Sequence, residues 1–211
     1  MKTNNPPSNY DLQVDIGKKI FMEYDQEMLI RRFHLTADEM WIYLDYLHTP
    51  YRISRKTGQI QENLTEDIWR ECRCYDTVMT IYDLLCYPET ETAPGLSGSW
   101  CPVSKFAVMG GPDALGFSQK YADLFQNHIQ ELQKACVSLG GSPQKSFASA
   151  DLTCMIPVTP YFPVLLQFWE GDDEFPPKLM LLWDENSMAF LHYETTYYLQ
   201  GDLLERLGRQ L

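Results

Sequence analysis

Six cysteines, at 72, 74, 86, 101, 136 and 154, and four histidines, at 34, 48, 128 and 192, are the residues best able to ligate a metal or carry nucleophilic chemistry in this 211-residue chain. Cys72-x-Cys74 falls one residue short of a Cys-x-x-Cys pair. Read on a helix, residues two apart point in different directions, so one ion does not take both. His192-Tyr193-Glu194 has the His-x-Glu spacing of zinc deaminases, a chemistry that needs two further cysteine ligands downstream. No cysteine follows position 154. Gly95-Leu96-Ser97-Gly98 approaches a nucleophile elbow, but the elbow needs glycine two residues after the serine, and Ser99 stands there. Gly110-Gly111 ahead of a helix would suit an anion, which Asp113 in the first turn opposes. The acids at 170, 172, 173 and 174 lack the spacing of a calcium loop and read as a solvated turn. His128 falls on an apolar helical stripe and reads as a buried core histidine. The other histidines show no ligand spacing. Catalytic residues are therefore unknown at this level, and no metal or cofactor-binding residue is assigned.

These residues need a scaffold, and the composition bounds it. The length fits one large domain, with an apolar fraction of 45% and an aromatic fraction of 13%, rich enough to bury a core without a metal or disulfide staple. The formal charge is −12, which repels phosphate backbones and anionic membranes. Nucleic acid and membrane are thus excluded as expected partners, leaving a protein or a small molecule. The sequence MKTNNPPSNYDLQVD lacks the apolar core of a signal peptide, and nowhere do eighteen apolar residues run together, so the expectation is a cytoplasmic protein. In that reducing compartment the cysteines are expected as free thiols.

Periodicity then places the elements. Residues 1–8 read as a flexible tail and 9–211 as a single domain. Leu12, Ile16, Ile20 and Phe21 recur at helical spacing, and Asp25 caps a second short helix that buries Met28, Leu29 and Phe33. Residues 40–44, 51–54 and 59–61 predict a three-stranded meander. Thr65 is read as the N-cap of a helix running through Ile68, Cys72, Val78 and Tyr82 to Cys86. Residues 88–102, with Pro88, Pro94 and Pro102, form the longest irregular segment, and a strand is expected over 103–109. Gly110-Gly111-Pro112-Asp113 opens what reads as the longest helix, with a stripe from Phe117 through Leu124 and His128 to Leu139 and a stop at Gly140-Gly141. Strands are predicted over 152–158, 163–169 and 178–183, the last two joined by the acidic turn, and a final helix over 197–207. The order predicts an α+β fold: an antiparallel sheet of about six strands with helices packed mainly on one face.

The stretch Phe162-Pro163-Val164-Leu165-Leu166-Gln167-Phe168-Trp169-Glu170-Gly171-Asp172-Asp173-Glu174-Phe175-Pro176, followed by Leu181-Leu182-Trp183-Asp184-Glu185 and the step from Leu191 to Glu194, resembles domain-of-unknown-function family 3786 of bacteria and archaea. The helix around Tyr121–Phe125 and the hairpin over 51–62 are similar to it too. The resemblance implies an apolar strand, an acidic turn ending in Phe-Pro, a second strand ending in Asp, and a final helix. It also implies a link to anaerobic metabolism, because some members sit beside a four-cysteine iron–sulfur segment of corrinoid-protein type. The cysteine spacing here does not match that segment, so no cluster is carried over. Two functional classes stay open: a non-catalytic binding or accessory module in redox or one-carbon metabolism, and an enzyme (hydrolase or transferase) whose active site is noncontiguous.

Overall fold

A computed structural model of the chain describes residues 8–65, 68–88, 90–107, 114–145 and 148–211. The first helix, α1 (Asn9–Glu23), starts in a capping box: the Ser8 hydroxyl accepts from the Asp11 amide while the Asp11 carboxylate accepts from the Ser8 amide. Ser8 is thus part of a helix start, and residues 1–7 of the expected tail lie outside the described residues. Asp25 caps α2 (Gln26–Phe33) through the Met28 amide, as the sequence predicts.

The predicted meander is present and longer than expected. Strands β1 (Thr36–Ala37), β2 (Trp41–Tyr46), β3 (Thr49–Ser54), β4 (Ile60–Thr65) and β5 (Ile68–Glu71) form one antiparallel sheet in chain order. Leu47 and His48 alone connect β2 to β3, both with positive φ (48° and 58°). The helix expected from Thr65 onward begins later. Thr65 ends β4, and only α3 (Tyr75–Cys86) is helical, with Cys74 at its N-cap. The three-and-four spacing at Ile68 and Cys72 satisfies a strand equally well, and Ile68, placed in the apolar stripe, is 51% exposed. What fixes β5 as a strand is its outer face. Arg52 of β3 stacks between the rings of Trp41 and Trp69, 4.0 and 4.4 Å from their centroids, and gives its Nε–H to Gln61. Stacking of this kind rewards a strand that presents Trp69 beside Arg52.

The second sheet is also antiparallel and five-stranded, in the order β6 (Trp100–Pro102), β10 (Lys178–Asp184), β9 (Phe162–Trp169), β8 (Leu152–Thr159) and β7 (Ser142–Pro143). The α+β class and the antiparallel pairing therefore stand, while the strands divide between two sheets rather than sharing one of about six. The strand expected over 103–109 is instead β6, followed by a 3-10 turn at Val103–Lys105; residues 108–109 lie outside the described residues. As predicted, β9 and β10 are adjacent and the acidic turn joins them.

The longest predicted helix is two helices, α4 (Ala114–Phe125) and α5 (Ile129–Ser138). Its opening at 110–113 lies outside the described residues. Asn127 takes the left-handed conformation (φ 65°), which asparagine tolerates better than most residues. The stripe loses its phase there: Leu124 is 46% exposed, and His128 is an exposed N-cap rather than a core residue. Gly140-Gly141 does end α5, with the Gly141 amide reaching the Cys136 carbonyl and the Gly140 amide the Val137 carbonyl.

The last helix, α6 (Tyr193–Gly208), contacts α3, α4 and α5 and buries apolar and polar residues alike. On it, Asp202 and Arg206 form an ion pair at 2.7 Å. Asp202 also accepts from the Thr77 hydroxyl on α3 at 2.6 Å, and Arg206 donates to the Tyr51 hydroxyl on β3 at 2.8 Å. Removing one partner of such a pair leaves an uncompensated buried charge. Asp202→Ala is predicted to cost about 3–5 kcal/mol in urea unfolding, and the double change Asp202→Leu/Arg206→Met to recover most of it; a double variant as unstable as the single one would refute this account.

Asp76 lies beside this network, where burial and then the charges of Asp202 and Glu205 push its carboxyl from 3.8 up to about 6. A carboxyl raised in the folded state contributes stability below its unfolded pKa and loses it as pH rises through the folded value. Asp76→Asn is therefore predicted to raise stability by about 1 kcal/mol at pH 7.5 and to give no advantage at pH 3.5. Thermal unfolding at the two pH values measures this; equal effects at both would count against it.

Candidate functional site

Three helices and one loop build the most site-like region. Asp83, near the end of α3, accepts two hydrogen bonds from His192 at the N-cap of α6: one from its backbone amide at 2.7 Å and one from ring Nδ1 at 2.6 Å. One carboxylate thus caps α6 and fixes the imidazole. Nδ1 is committed to Asp83, so Nε2 is the outward-facing atom of a side chain that is 59% exposed. The Tyr87 ring lies 4.1 Å from the imidazole.

Two cavities meet at this point. The larger, about 850 Å³, lies between Tyr24, Tyr87, His192, Met188 and the segment Thr90–Gly95. The smaller, about 340 Å³, is a groove among α1, α3 and α6 whose walls include Ile16, Ile20, Met79 and Tyr198. Cys86, Tyr87 and His192 line both. At the back of the larger cavity the Tyr24 hydroxyl receives a hydrogen bond from Arg32 at 2.9 Å and donates one to the Pro88 carbonyl at 2.7 Å. Burial pushes the Cys86 thiol up to about 12, so it stays protonated near neutral pH and is a poor nucleophile.

The irregular segment over this cavity is held by one carboxylate. Asp184, fully buried at the end of β10, accepts from the amides of Ser97, Gly98 and Asn186 at 2.8–2.9 Å. Burial alone would raise its carboxyl, but the three amides outweigh burial and hold it below the ordinary value. Asn186 adds a bond from its side chain to the Gly95 carbonyl. The near-elbow at Gly95–Gly98 is thus an anchored loop, and its Ser97 amide is a structural donor.

The other residues singled out from the sequence are dispersed. Cys72 is buried after β5 and Cys74 exposed at the start of α3, so the pair is not helical; all six cysteines are free. His34 ends α2 in the left-handed conformation and His48 sits in the β2–β3 turn. In the acidic turn, Asp172 accepts from the amides of Glu174 and Phe175, which lower its carboxyl, and the Gln126 side chain donates from Nε2 to the Gly171 carbonyl and accepts at Oε1 from the Gly171 N–H. Among the described residues no three His, Cys, Asp or Glu side chains gather as a metal site, and no helix is long and apolar enough to cross a membrane. Of the pair that matters, His192 is visible in the sequence only as half of a failed motif. Asp83 gives one faint signal, an acid in the apolar second half of α3.

Fold and site together describe a two-sheet α+β protein with a helix-lined pocket and a fixed histidine at its wall. The family model described as Domain of unknown function (DUF3786) matches residues 25–206, and the chain belongs to that family. No curated protein and no solved structure matches it.

Asp184→Ala removes the acceptor of three amides and is predicted to cost about 2–3 kcal/mol. Chymotrypsin should then cut after Leu96 or Trp100 faster than in the parent protein. Unchanged cleavage there would mean that the loop does not depend on Asp184.

Proposed function

We propose that the protein is a non-catalytic binding module whose ligand site is the larger cavity, with His192 reading the ligand. The observation that supports this is the pair of hydrogen bonds that Asp83 accepts from His192, which orients the imidazole at the cavity wall before any ligand arrives. The wall offers flat or apolar surface from Tyr24, Tyr87, Pro94, Met188 and Ala189, and neutral imidazole Nε2 accepts a hydrogen bond. The ligand class this favours is a small planar molecule carrying an N–H or O–H donor, free or at the tip of a partner protein. The setting, anaerobic redox or one-carbon metabolism in the cytoplasm, follows the family resemblance and the composition.

A second reading, an enzyme using His192 as general base, draws on the same dyad. It needs a nucleophile, and the protonated Cys86 is a poor one, so an activated water would have to serve.

Benzimidazole and its 1-methyl derivative, which lacks the N–H donor, test the binding reading by NMR. Benzimidazole is expected to shift the Met188 methyl and His192 ring signals saturably, the methylated probe to bind about tenfold more weakly, and His192→Ala to abolish the difference. Equal binding of the two probes, or shifts that avoid Met188, would sink this assignment.

A further inference from the structure

The smaller groove opens beside an apolar stripe that packing within the chain does not use. On α1, Phe21 is fully buried and Gly17 sits against Tyr82, where an added Cβ would come within 2.7 Å of the ring. The adjoining face, about 100° round the helix, carries Leu12, Ile16 and Ile20, at 47, 51 and 49% exposure. Their spacing of four puts them in one row about 12 Å long. Met79 of α3 and Tyr198 of α6 continue this surface on the groove side. Contiguous exposed apolar surface of this kind marks an interaction site.

We infer that this surface is the interface with a second copy of the chain, the two α1 helices packing antiparallel about a twofold axis at Ile16. The row is self-complementary in that arrangement: Ile16 meets Ile16 of the other copy, and Leu12 meets Ile20. The charges beside it agree. Lys19 and Asp15 flank the row on one side, 76% and 69% exposed, and within the helix they are held only by long surface pairs, with Glu23 at 3.8 Å and Lys18 at 3.5 Å, which contribute little and exchange readily. About the twofold axis, Lys19 of each copy lies beside Asp15 of the other, offset by about 3 Å along the helices, so two ion pairs form. A parallel twofold pair would instead place the two charged rows on opposite sides of the seam, where they do not meet. Three aliphatic residues per copy fall short of the roughly 800 Å² per partner of a stable interface. Met79, Tyr198 and the rim of the groove must therefore be covered as well, and the dimer is a weak, reversible one. The proposed contact uses the end of the smaller groove at Ile16, Met79 and Tyr198, residues that do not line the larger cavity, so the interface is independent of whether His192 reads a ligand.

Cysteine crosslinking tests the register. In a Cys74→Ser background, Ile16→Cys is expected to crosslink to itself with diamide, since residues on the axis of a close helix pair fall within disulfide reach. Leu12→Cys alone is expected to form no self-crosslink, its two copies lying about 12 Å apart along the helices, and a mixture of Leu12→Cys with Ile20→Cys to give the crosslinked pair. Sedimentation of the uncrosslinked protein is expected to show a reversible dimer, weakened at least about tenfold by Ile16→Glu and by Lys19→Asp, and restored by Lys19→Asp with Asp15→Lys. A protein that remains monomeric up to about 100 µM, self-crosslinking of Leu12→Cys as fast as that of Ile16→Cys, or no rescue by the charge exchange would each overturn the proposal. Benzimidazole shifts at Met188 are read separately, so failure of the interface and failure of the ligand site are told apart.

Discussion

The ion pair between Asp202 and Arg206 is the joint on which the arrangement of the two halves depends. It lies on α6, the helix that touches α3, α4 and α5, and it reaches the first sheet through Tyr51 and α3 through Thr77. Leu199, Leu203, Leu204 and Leu207 of the same helix are fully buried in the apolar core that both sheets share. An apolar face alone would let α6 slide or rotate against its neighbours. A buried charge satisfied only at one position fixes its register, at the cost of desolvating two ions. With α6 fixed, its N-terminus and His192 have a defined place.

Three aspartates divide the work of positioning. Asp202 locks the final helix in the core, Asp83 caps that helix from α3 and orients the imidazole, and Asp184 ties down the loop that borders the larger cavity. Each holds backbone or side-chain donors that are far away in sequence, so each converts an otherwise loose connection into a rigid wall. The walls of the pocket are therefore largely fixed by the chain itself, which, on the binding role proposed above, lowers the ordering cost of a ligand.

The legible parts of the fold were those in which one local pattern had one reading. The apolar runs of β8, β9 and β10, the acidic turn, the Asp25 cap and the Gly140-Gly141 stop were all readable for that reason. Where a pattern fitted two structures, tertiary contacts decided. Ile68 and Cys72 suit a helix or a strand, and the stacking of Arg52 on Trp69 chose the strand. The stripe from Tyr121 to Leu139 reads as one helix because Asn127 is the only hint of a break, with no glycine or proline beside it. The division into two sheets was not legible, since pairing partners are not written in either strand. The site was hidden for a related reason: Asp83 and His192 lie 109 residues apart and share no motif.

The turn between β2 and β3 bears on the order in which the chain folds. Leu47 and His48 both adopt a backbone conformation that disfavours residues with a side chain, where tight hairpins usually place asparagine or glycine. What holds them there comes from the other sheet. Leu47 is fully buried, and its amide donates to the Val158 carbonyl at 2.8 Å. That link spans 111 positions of sequence, so the hairpin lacks its support until β8 has been synthesised. The expected consequence is that the first sheet completes its hairpin only with the second, so that the two halves fold as one cooperative unit rather than one after the other.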